Sequence, residues 1–125
     1  MKKDYVVLGL IGSLIWFASM PLREMNLPNN EILLFLVGTC PNFGVVWVGV
    51  GYTIGFYSQV FHHEFDDSKF YLLLLGIMIL LITSEIVHDV FLNSKFDIWD
   101  LVVSLVSMVI ICLIHKRINK RQQLG

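Results

Sequence analysis

An all-α membrane protein of about four transmembrane helices, with a short re-entrant or interfacial segment before the second, is the fold class this sequence predicts. Composition is the first reason: of 125 residues, 56% are hydrophobic and 15% charged, too few polar groups to cover a soluble globule. Long apolar runs are the second, because a helix needs roughly 20 mostly apolar residues to cross the hydrocarbon core. About four such crossings with short connections fit this length, which makes residues 1–125 a single transmembrane helical domain. The formal net charge of −1 gives no general basic excess for neutralising phosphates and argues against a nucleic-acid partner.

The first run, residues 5–22, follows Lys2 and Lys3 and closes with Pro21 and Arg23. Two lysines before an apolar stretch also describe a signal peptide, but Trp16, Phe17 and Met20 stand where a cleavage site needs small residues, so the run reads as an uncleaved helix. The second run covers residues 32–57 and contains Cys40, Pro41 and Asn42. Proline disfavours helix in the residue before it and removes a backbone donor, so the expected result is a short piece, 32–39, and a spanning helix from about Asn42. Backbone freed at such a break must face protein or water, hence the re-entrant or interfacial reading. Gly51 and Gly55 form a GxxxG spacing that lets another helix approach, inside one subunit by preference, with a homo-oligomer as the alternative.

The third run, 70–92, becomes polar only near its end, and the fourth runs from about Asp97 to His115 before a basic tail. Ser94 and Asp97 have the spacing of a capping box that would start the fourth helix. Lysines and arginines in short flanks orient the bundle. Lys2 and Lys3 at one end and Lys116, Arg117, Lys120 and Arg121 at the other predict that both termini are cytoplasmic in a multi-pass bacterial plasma-membrane protein. Cys40 and Cys112 then fall toward opposite surfaces, too far apart for the roughly 7 Å Cα separation a disulfide allows.

The chemistry concentrates where the third and fourth runs join. Glu85, His88 and Asp89 are spaced i, i+3, i+4 on one helical face, and Asp97 and Asp100 are i, i+3 at the next helix start. Glu85 sits roughly 10 Å inside Leu92 at about 1.5 Å per residue, and an acid costs about 2.5 to 3.5 kcal/mol at the centre of a spanning helix and less toward the surface. Glu85 is therefore the costly member and the strongest sign of a polar cavity or proton site. For Asp97 and Asp100, capping and the helix dipole explain the acids equally well. Arg23 and Lys95 are the nearby cations, and Asn42 approaches from the proline-containing segment.

In order, Glu85, His88, Lys95, Phe96, Asp97, Ile98, Trp99 and Asp100 resemble the acidic signature of VanZ-like membrane proteins, named for an accessory protein of glycopeptide (teicoplanin) resistance. Residues 38–43, "GTCPNF", resemble a leucine-proline-asparagine-phenylalanine element of some relatives. The resemblance spans roughly residues 32–115, with His88 where the family has glutamine, Lys95 for arginine, Ser104 for asparagine and Ser107 for glycine. It implies a small envelope protein with an outward polar cluster and supplies no reaction.

The expected ligand-binding set is Glu85, His88, Asp89, Asp97, Asp100, Asn42, Lys95 and Arg23. Its ligand would be a lipid head group, a lipid-linked cell-wall precursor or glycopeptide, or a cation; membrane lipids are the general partner, and no cofactor is expected. A phosphate would need Arg23, Lys95, a protonated His88 or a bridging metal ion, because carboxylates repel it. The alternative is a proton-coupled exporter of cationic drugs using Glu85, although the acids cluster at one surface and no internal repeat is visible. Catalysis is the weaker reading: no G-x-S-x-G element is present, and Ser84 and Glu85 are adjacent on a helix and point apart. The loop "HHEFDD", 62–67, reads as solvated chain ahead of a metal site.

Overall fold

The computed structural model describes residues 2–25, 29–93 and 97–125. It contains four helices: α1 (Lys2–Glu24), α2 (Glu31–Phe61), α3 (Asp67–Phe91) and α4 (Ile98–Leu124). Each is long and apolar enough to cross a membrane. Their order is up, down, up, down. The start of α1 meets the end of α4 through Tyr5 and His115, so both termini lie at one end of the bundle.

The second run is one continuous helix of 31 residues, which corrects the expected division at Pro41. Asn30 starts it by accepting a hydrogen bond from the Ile32 N–H at 3.0 Å. Pro41 removes only the bond that the Val37 carbonyl would receive, and Pro41 itself is buried in protein, where a spanning helix tolerates the loss. Thr39 donates to the Phe35 carbonyl at 2.8 Å and ties the turn just before the proline. Residues 32–39 are thus the opening turns of α2. At about 1.5 Å per residue α2 is roughly 46 Å long, against a hydrocarbon core of about 30 Å, so the helix reaches beyond the core at its ends or runs tilted.

Helix α2 is the hub. α1 lies along it most closely, α4 packs on another side, and α3 touches α2 and α4 sparingly. Side-chain-free positions allow the α1–α2 approach: a Cβ placed on Gly12 would stand 2.7 Å from the Gly44 carbonyl oxygen, and one on Gly44 would stand 2.8 Å from the Gly12 carbonyl oxygen. Gly51 faces the backbone of Gly9, and a Cβ on Gly55 would come within 2.9 Å of Val6. The GxxxG pair therefore makes the intrasubunit contact that the spacing favours, with α1 packed on that face.

The core between the two ends of the bundle is apolar, built from residues such as Val46, Val50, Ile54, Phe70 and Ile111. Buried Ser107 on α4 donates to the Phe43 carbonyl on α2 at 3.0 Å, so a small residue both admits the approach and adds a hydrogen bond. Cys40 and Cys112 are free thiols. The buried positions of α3, Phe70, Leu74 and Ile77, all fall in its first half, and its later face toward the bundle is polar.

Replacing Gly12 by valine should weaken the α1–α2 contact by about 1 to 3 kcal/mol, since the added atoms meet backbone that cannot yield. Gly76→Ala, whose Cβ meets nothing within 4 Å, should stay near the parent. Unfolding in mixed detergent followed by circular dichroism distinguishes the two; equal midpoints would remove the glycine contact as a determinant of stability.

Candidate functional site

All four helices converge on a cavity of about 420 Å³ at the end of the bundle opposite the termini. α2 supplies Gly38, Pro41 and Asn42, α3 supplies Ser84, Glu85 and His88, α4 supplies Asp100 with Asp97 just before it, and α1 contributes Arg23. Gly38 leaves room, because nothing lies within 4 Å of where its Cβ would be. Asp97 is the N-cap of α4, its carboxylate accepting the Trp99 N–H at 3.0 Å, and it lines the cavity as well. Capping and cavity lining, which sequence weighed as rivals, are carried by the same residue. The expected capping box is replaced by Asp97 itself as cap, and Ser94 lies outside the described residues.

Of the expected site residues, Glu85, His88, Asp97, Asp100, Asn42 and Arg23 come together. Asp89 is exposed and does not line the cavity. With about 100° of rotation per residue, Ser84, His88 and Glu85 occupy an arc of about 100°, and Asp89 falls about 40° past its edge. Lys95 lies outside the described residues. Gly38, Pro41 and Ser84 are added to the wall; Gly38 and Pro41 were visible in "GTCPNF" but offered no side-chain chemistry to mark them.

Three carboxylates against one guanidinium give the wall a formal charge of −2 with His88 neutral. Asp100 and Glu85 are half-buried, and the polar neighbours of Asp100 are Asn42, Asp97, Glu85 and Arg23. Phe35 and Trp99 meet edge to face beside this end, with ring centroids 5.8 Å apart, in the manner of aromatic side chains at a membrane boundary. Such a wall can hold a cationic amine between carboxylates and an anionic group at Arg23 in one ligand. No three His, Cys, Asp or Glu side chains among the described residues are arranged to hold a metal ion.

A second polar cluster, which no motif marks, stands at the other end. His115, 2% exposed, is bonded through Nδ1 to the Tyr5 hydroxyl. Its Nε2 lies 2.7 Å from an Asp67 carboxylate oxygen, which also accepts from the Asn119 amide at 2.9 Å. Phe70 lies flat on the imidazole, with centroids 3.8 Å apart and planes 2° from parallel. Asp67 belongs to the "HHEFDD" stretch, whose end is therefore an anchor and not simply solvated chain; His62, in the left-handed conformation, closes α2, and Asp66 caps α3. No local pattern points to this cluster, because Tyr5 and His115 are 110 positions apart.

A four-helix membrane protein with an acidic cavity at one end is the class that this geometry defines. The chain matches no family model, no curated protein and no solved structure.

Tyr5→Phe should cost about 1 to 3 kcal/mol, because it leaves a buried imidazole nitrogen without its partner. Asp67→Asn, at a largely exposed carboxylate, should cost less. Detergent unfolding midpoints test the order, and a larger effect at Asp67 would mean that its contact with the imidazole, not the buried hydroxyl bond, holds this end.

Proposed function

We propose that this chain is a VanZ-like envelope protein of the bacterial plasma membrane whose acidic cavity faces outward and binds the head group of an envelope lipid or lipid-linked cell-wall precursor. The observation that carries this reading is the convergence of Glu85, Asp97 and Asp100, the acids on which the resemblance rests, with Arg23 and the Pro41–Asn42 element around one cavity. Carboxylates attract an amine and Arg23 a phosphate, the pair of charges a zwitterionic head group carries. The site lies near one membrane boundary: Glu85 is roughly 9 Å from the end of α3, and Asp100 is in the first turn of α4. The lysines and arginines flanking the termini favour a cytoplasmic location for them and an outer location for the cavity. Its role would be glycopeptide tolerance through precursor or lipid binding.

The exporter reading has less support. Alternating-access carriers bind near the midplane, whereas here packed apolar side chains, Val46, Val50 and Ile111 among them, separate the cavity from the opposite end.

Expression in a teicoplanin-sensitive Gram-positive host should reduce susceptibility, and Glu85→Gln or Gly38→Leu at equal membrane abundance should abolish the effect. Gly38→Leu adds volume to the cavity at a position where a Cβ meets nothing within 4 Å, and an unchanged unfolding midpoint in detergent separates its loss of function from a folding defect. Protection by both variants would sink the cavity as the working site, and no protection by the parent chain would remove glycopeptide tolerance in that host.

A further inference from the structure

A second cavity, about 710 Å³ and almost wholly apolar, runs between α2 and α3 in the half of the bundle that bears the termini. Gly49 and Thr53 from α2 and Leu73, Gly76 and Ile77 from α3 line it, and Lys69 stands at its end. Its cause is the sparse contact between the two helices together with small residues: at Gly76 a Cβ would meet nothing within 4 Å.

We propose that this groove holds one acyl chain of an anionic membrane lipid, with the lipid phosphate at Lys69. Length is the first reason. From Lys69 to Leu80 the groove follows α3 for about 16 Å at 1.5 Å per residue, which matches one leaflet of a hydrocarbon core about 30 Å thick. Charge is the second. Lys69 is exposed in the first turn of α3, at the level of the head groups, and its ammonium donates to the Tyr57 hydroxyl at 3.0 Å. The neighbouring Asp66 carboxylate is engaged by the Lys69 backbone N–H at 3.0 Å, and among the described residues no acid forms an ion pair with the ammonium. A helix from a second copy fits poorly, because it would span both leaflets while the groove ends one turn before polar Ser84 and Glu85. This ligand is distinct from that of the acidic cavity and sits at the opposite end.

The test places the full chain in phosphatidylcholine vesicles doped with phosphatidylglycerol carrying a photoreactive acyl chain, and maps adducts by mass spectrometry. Adducts should concentrate on the groove residues Leu72, Ile79 and Leu80, about five-fold above Leu10 and Leu14 of α1, which are exposed to a similar degree. Lys69→Gln should lower labelling to the level of a photoreactive phosphatidylcholine, and Gly76→Leu, which fills the groove, should remove it. Labelling spread evenly over the exposed helices, or indifferent to the head group in the parent chain, overturns the proposal. So does a groove protected from label whose Gly76→Cys variant forms disulfide-linked dimers, which would show a second copy in the groove.

Discussion

The backbone contact between α1 and α2 is the constraint from which the other helix positions follow. Lipid is as apolar as leucine, so spanning helices gain little from burying apolar surface on one another and rely on close packing. Gly12 against Gly44, and Gly51 against Gly9, bring two backbones together where any side chain would intervene. That makes α2 a fixed post. α4 then docks on it through small Ser104 and Ser107, both nearly inaccessible, while α3, without such residues facing α2 at close range, stays looser. The two cavities border α3, the helix that this scheme holds least.

Polar groups are sorted to the two ends, and they serve different purposes there. At the terminal end, Tyr5, His115 and Asp67 satisfy one another around a buried imidazole, which suits a clasp. At the other end, half-buried acids border open volume, which suits a ligand. An acid in a spanning helix is costly, and the cost falls toward the boundary, so both clusters lie where the penalty is smaller.

Much of this was legible in the sequence because it is written in local pattern. Four apolar runs and their boundaries follow from hydropathy, and the meeting of Glu85 and His88 with Asp97 and Asp100 follows from helical spacing across one short connection. Asp89 was misplaced because i+4 from Glu85 lies on the far side of that residue from His88, and the arc facing the cavity is centred on the near side. Pro41 reads as a break because local preference cannot see that the proline is buried against the rest of the bundle within a continuous helix. The Tyr5–His115 bond was invisible for a different reason: it is a product of which ends of four helices coincide, and no local spacing encodes that.

The same bond has a meaning in the order of synthesis. Tyr5 belongs to α1, and its partner His115 emerges 110 residues later, in α4. Asp67 and Phe70, which complete the imidazole's surroundings, come from the helix between. The glycine contacts between α1 and α2 involve neither later helix, whereas Tyr5 and Asp67 have no imidazole between them until α4 supplies His115.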